Sequence, residues 1–129
     1  MGFIQAISAG FTKYFNFSDR ACRSEFWYWM LFAGTVAIVG NIGNWMLHTN
    51  LVNLLLGLPF FFPSWAVEVR RLHDIDRSGW WILIAVIPFI GAIILIRWFA
   101  TKGDEGRNRF GSDPLAANPF PNHQFGAAT

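Results

Sequence analysis

Charged residues vanish from this chain for 42 positions: from Phe26 through Val67, between Glu25 and Glu68, there is no Asp, Glu, Lys or Arg. As a single helix the run would measure about 63 Å, twice the roughly 30 Å hydrocarbon thickness of a bilayer. It must fold back, and the polar triplet His48-Thr49-Asn50 is the place where it can. The pattern therefore predicts a helical hairpin with spans over 26–47 and 51–68. A second uncharged run, Ser78 to Ile96, predicts with its flanks a third span over 80–100. None of the three runs carries the polar stripe that a helix on the surface of a water-soluble core would show. The expected fold class is all-α, a polytopic membrane bundle of three transmembrane helices.

Ahead of the spans, Phe3, Ile4, Ile7, Phe11, Tyr14 and Phe15 recur at three-to-four spacing. That period predicts an N-terminal amphipathic helix lying at the membrane interface. All seven tryptophans fall near predicted span ends, where an indole ring is half-solvated and its N–H finds a partner. Past Lys102 the chain is rich in glycine and proline and loses its apolar period, so one membrane domain over 1–114 and an irregular tail over 115–129 are expected.

Composition agrees with lipid as the solvent: 53% of residues are apolar and 14% charged, against about 25% charged in soluble domains. The excess of basic over acidic residues is too small and too scattered for a nucleic-acid partner. It bears on topology instead. Lys13, Arg20 and Arg23 precede the first span, the first turn has no basic residue, and Arg70, Arg71 and Arg77 lie between spans two and three, so the amino terminus is predicted cytoplasmic. Three full crossings would then leave Arg97, Lys102, Arg107 and Arg109 outside, against the same rule. Pro88 and Gly91 could bend the third span into a re-entrant segment, but arms of about 10 residues are half of what crossing needs, and three crossings are the expectation. A single cysteine, Cys22, excludes an intrachain disulfide or cysteine-based zinc site, and Met1 to Phe17 lacks the features of a removable signal peptide.

A hairpin returns Glu25 and Glu68 to one membrane level, together with Arg20, Arg23, Arg70, Arg71 and Arg77 and with Asp19, Asp74 and Asp76. Five bases against five acids predict a mutually paired rim that locks the helix ends or holds lipid headgroups or a partner. His73 beside Asp74 has the residue types of an acid-base pair, but neighbours on a helix point apart and no second histidine stands at metal-ligand spacing. Neither metal nor cofactor is expected. Along span one, Ala33, Ala37, Gly40, Asn41 and Asn44 share a face, a packing seam toward span two, with Asn53 as a possible amide partner, or toward another protomer. Pro59 and Pro63 should kink span two and free carbonyls.

Taken in order, Arg20-Ala21-Cys22-Arg23-Ser24-Glu25-Phe26-Trp27, Arg70-Arg71-Leu72-His73-Asp74 with Arg77-Ser78-Gly79-Trp80-Trp81, Ile87-Pro88 with Gly91, and Gly103, Gly106, Asn108-Arg109-Phe110-Gly111 and Asp113-Pro114 resemble the YhaH-type bacterial inner-membrane proteins, the domain of unknown function 805 family. The chain departs from that pattern at Asp19, where glycine is usual, and at Ile75-Asp76, where a small polar residue and glycine are usual. The resemblance implies a bacterial inner-membrane location and brings no catalytic residue with it. The function expected from these readings is a non-enzymatic, self-associating membrane protein with a lipid- or partner-binding rim. A small oligomeric transporter or channel subunit is the alternative, and an enzyme using His73 and Asp74 the third.

Overall fold

The computed structural model describes residues 2–115; residues 116–129, and with them nearly all of the expected irregular tail, lie outside the described residues. The elements run α1 (Phe3–Thr12), α2 (Arg23–Leu47), α3 (Leu51–Asp74), a 3-10 helix (Gly79–Val86) and α4 (Ile90–Ala100). Among the described residues there is no strand, and one isolated bridge joins Asn108 and Gly111. The all-α expectation holds.

Two helices, α2 and α3, are long and apolar enough to cross a membrane. At about 37 and 36 Å each exceeds the hydrocarbon thickness. They form the predicted hairpin. His48 ends α2 in the left-handed region (φ 53°), Thr49 Oγ1 accepts from Leu51 N at 3.2 Å, and Asn44 Oδ1 reaches over to accept from Asn53 N at 3.1 Å. Asn44 on α2 thus satisfies an orphan donor in the first turn of α3. α3 runs six residues past its expected end at 68, because Val69 to Asp74 stay helical and buried.

Pro63 cannot donate to Pro59, its partner four residues back, and the carbonyl so released accepts from Tyr14 Oη at 2.6 Å. The chain after α1 is tied to α3 by that freed group. α1 itself packs against α2 through small residues: a side chain at Gly10 would collide with the Trp29 ring, Ala6 is buried, and Phe11 meets Trp29 edge-on with centroids 5.3 Å apart. Ile4 is exposed, and Phe15, also largely exposed, meets Phe62 on α3 with ring centroids 5.4 Å apart. Trp29 departs from the interfacial role expected of it: it is fully buried, with Nε1 donating to Ser64 Oγ at 3.0 Å.

The third apolar run does not form the single helix expected over 80–100. Pro88 biases Ile87 out of the helical region (φ −80°, ψ 110°), and Phe89 turns at positive φ (64°). The run becomes a 3-10 arm of about 16 Å and an α-helical arm of about 16 Å, each half a bilayer. They fold on each other. A side chain at Gly91 would strike the Ile84 carbonyl, and at the open end Trp81 meets Trp98 edge-on at 5.6 Å while the Arg77 guanidinium lies 4.2 Å above the Trp98 ring.

The buried core, Ala21, Phe26, Trp29, Val67, Leu72, Leu95 and Phe99, sits at the end of the hairpin that carries the charges. The opposite end of α2 buries Gly40.

Candidate functional site

The charged residues named from the sequence converge at the base of the hairpin, on the last two turns of α3. Asp74 lies between two arginines: Arg20 Nε donates to Oδ1 at 2.9 Å and Arg71 Nη1 to Oδ2 at 2.7 Å. All three side chains are nearly inaccessible. The remaining donors turn to backbone carbonyls. Arg20 Nη1 donates to Gly106 at 2.6 Å and Gly111 at 3.2 Å, and Nη2 to Asp104 at 2.5 Å. Arg71 Nε donates to Phe99 at 2.9 Å, Nη1 to Ala21 at 3.2 Å, and Nη2 to Thr101. A buried triad with one net positive charge is thus ringed by carbonyl dipoles, which is what desolvated guanidinium groups require.

Gly103 is part of this arrangement because a Cβ there would collide with the Asp74 carboxylate. The Asp74 carbonyl accepts from Asp104 N at 2.7 Å, and Asn108 Nδ2 donates to the His73 carbonyl at 2.9 Å. The His73 ring stacks on Phe110 at 3.9 Å with 2° between planes, and its Nδ1 is 3.0 Å from the Asp19 carbonyl. His73 and Asp74 therefore face different partners. Outside this ring, Arg109 pairs with Asp76 at 3.2 Å where both are exposed, a contact worth little in water.

A second buried pair, Arg70 and Glu25, bridges α3 and α2. Nε and Nη2 of Arg70 have no partner among the described residues, although Arg70 is wholly buried. Arg23 is exposed near the Ala100 carbonyl, and Arg77 is half-buried under its tryptophan. Glu68 stands apart: no salt bridge or hydrogen bond reaches its carboxylate among the described residues, and it borders a groove between α3 and the 3-10 helix.

The seam residues divide. Gly40 packs on Asn53, whose amide also bonds Asn41, so this half of the seam faces α3 with Asn44. Ala37 is exposed and Ala33 half-buried. The apolar pattern does not show that the end of α4 and the segment after it take part: Phe99 in the last turn of α4, then Thr101, Gly103, Asp104, Asn108 and Phe110, complete the site. The segment's glycines and Asn108 stand in the blocks that resemble the family and were the visible signal, but the loss of apolar period past Lys102 gave them no place in the site. No group of three or more His, Cys, Asp or Glu among the described residues is arranged to hold a metal.

Fold and site together define a helical protein with a two-helix hairpin of membrane-crossing length, closed at one end by buried arginine-carboxylate contacts. The family described as "Protein of unknown function (DUF805)" matches residues 14–112, and the chain belongs to it. Inner membrane protein YhaI of Escherichia coli strain K12 is 42% identical over 104 residues, covering 79% of this chain and 88% of that protein. Inner membrane protein YhaH of the same strain is 39% identical over 108 residues, covering 79% and 89%, and uncharacterized protein YiiR is 29% identical over 126 residues, covering 77% and 86%. No solved structure matches the chain significantly.

Proposed function

We propose that this chain is a non-enzymatic, self-associating protein of the bacterial inner membrane, whose third apolar segment is re-entrant and whose cytoplasmic rim holds anionic lipid headgroups. The observation that carries the reading is the fold-back at Ile87-Pro88-Phe89, which returns Trp98 to Arg77 and Thr101 to Arg71. With two crossings and one re-entrant segment, all ten Lys and Arg share the cytoplasmic side, and the conflict with the positive-inside rule disappears. The names of YhaI and YhaH support the inner membrane.

In this reading the rim has two layers. Arg20, Arg70 and Arg71 are spent inside the protein, while the exposed Arg23, Arg97 and Arg107, and Lys102 once it leaves its exposed contact with Glu105, remain for phosphates, each worth about 1 kcal/mol near an anionic surface. α1 lies beside the hairpin at the same interface, and self-association uses the α2 face around Gly34 and Ala37, which is open among the described residues. Converting Arg97, Lys102 and Arg107 together to glutamine should sharply reduce the anionic lipid that co-purifies, read by mass spectrometry, without loss of fold. Unchanged lipid would remove the headgroup role. The transporter alternative draws on Glu68, which has no partner among the described residues; the acid-base alternative draws on His73, whose Nδ1 lies 3.0 Å from the Asp19 carbonyl, and on Asp74, whose two carboxylate oxygens already accept from Arg20 and Arg71.

A further inference from the structure

Glu68 is the one carboxylate on the crossing part of α3, and no cation pairs with it among the described residues. It lies about 9 Å inward from Asp74 along the helix and about 26 Å from Leu51. Beside it a cavity of about 520 Å³ opens between α3 and the 3-10 arm, within the size range of small-molecule sites. Its walls are Phe60, Phe61, Trp65 and Ile82, and its polar groups are Ser64 and Glu68. A second cavity shares Trp65 and Ile82 and continues to His73 and Ser78, so the groove is open toward the charged end.

We propose that this groove is a binding site for a lipophilic organic monocation, held by Glu68 as counter-ion and by the aromatic faces of Trp65, Phe60 and Phe61. The inference rests on the membrane placement of α3 proposed above. Aromatic rings attract a cation through their negative faces, and a carboxylate without a partner at low dielectric gains most from a permanent positive charge. A zwitterionic phospholipid is a poorer occupant: its phosphate would enter beside Glu68, and among the described residues no Lys or Arg lines the cavity to receive it. An acyl chain alone would leave the carboxylate uncompensated.

The test is equilibrium binding of labelled tetraphenylphosphonium to the full chain in phosphatidylcholine nanodiscs, with uncharged triphenylphosphine oxide as the neutral probe. We expect saturable binding of the cation by the wild type, weakened about tenfold in Glu68→Gln and less in Trp65→Leu, with Asp76→Asn unchanged. Non-saturable binding, equal affinity for the neutral probe, or full affinity in Glu68→Gln overturns the proposal. If Glu68→Gln does not fold, the wild type decides: the cation should slow carbodiimide modification of Glu68 several-fold, and an unaltered rate counts against the site. Cross-linking between copies through Ile82→Cys, with no probe bound by the wild type, would give the groove to a second copy instead. Side-specific labelling of the termini tests the membrane placement separately, so failure of binding leaves that reading intact.

Discussion

The two ends of the α2–α3 hairpin are held by opposite means. At the charged end, five ionised side chains are buried, a hydrophobic core surrounds them, and the backbone after α4 closes the layer. At the far end neutral amides join the helices: Asn53 bonds Asn41, and Asn44 caps the start of α3. Desolvated charges are costly when a partner is lost, whereas an amide pair surrounded by lipid contributes modestly in either state. Stability should therefore be concentrated at one end, and substitutions there should be graded by how much charge they strand.

The largest effect is expected from Asp74→Ala, which leaves two guanidinium groups facing each other without their anion. A loss of about 5 kcal/mol, the upper end for breaking a buried pair, should appear as failure to fold or as early unfolding in denaturing detergent. Next comes the Arg70–Glu25 pair. Arg70→Met or Glu25→Leu alone should cost about 3 kcal/mol, while the double substitution should return close to wild type, because Arg70 already has two unsatisfied nitrogens. A double variant as damaged as the singles would show that the pair specifies the packing itself. Gly103→Ala should cost about 2 kcal/mol, the scale of overpacking a filled site, and detach the segment after α4, seen as new protease cleavage near Thr101. At the far end Asn53→Ala should cost about 1 kcal/mol or less. A larger cost there than at Gly103 would reverse the contrast between the two ends.

Much of this contrast was legible in the residues. The 42-residue gap in charge, its polar interruption at 48–50 and the return of Glu25 toward Arg70 followed from bilayer thickness and helix rise alone. The fates of individual arginines were not legible, because composition says that a rim is near neutral without saying which donors meet carboxylates and which meet carbonyls. Arg20 and Arg71 reach the 99–111 segment, whose glycines carry no apolar period, and only their placement in the fold shows that Gly103 leaves room for the Asp74 carboxylate while Gly106 and Gly111, both at positive φ, turn their carbonyls to Arg20. The break in the third run was hidden for a related reason. Hydropathy over 80–100 measures affinity for lipid, not direction, and the signals of reversal are local: Pro88 acting on Ile87, and Gly91 allowing close approach to Ile84. Trp29 is indistinguishable by sequence from its interfacial neighbour Trp27 until Ser64 and Gly10 are seen to enclose it.

The side of the membrane on which the post-α4 segment lies decides between a re-entrant third segment and a third crossing. In a Cys22→Ala background, single cysteines at Ser18, Asn50 and Lys102 can be challenged with a membrane-impermeant maleimide on intact spheroplasts and again after the membrane is opened. Labelling of position 50 alone is expected in intact spheroplasts, with 18 and 102 reacting only once the membrane is breached. Reaction at 102 in intact cells would mean that the chain crosses a third time, and the two-layered cytoplasmic rim would have to be abandoned.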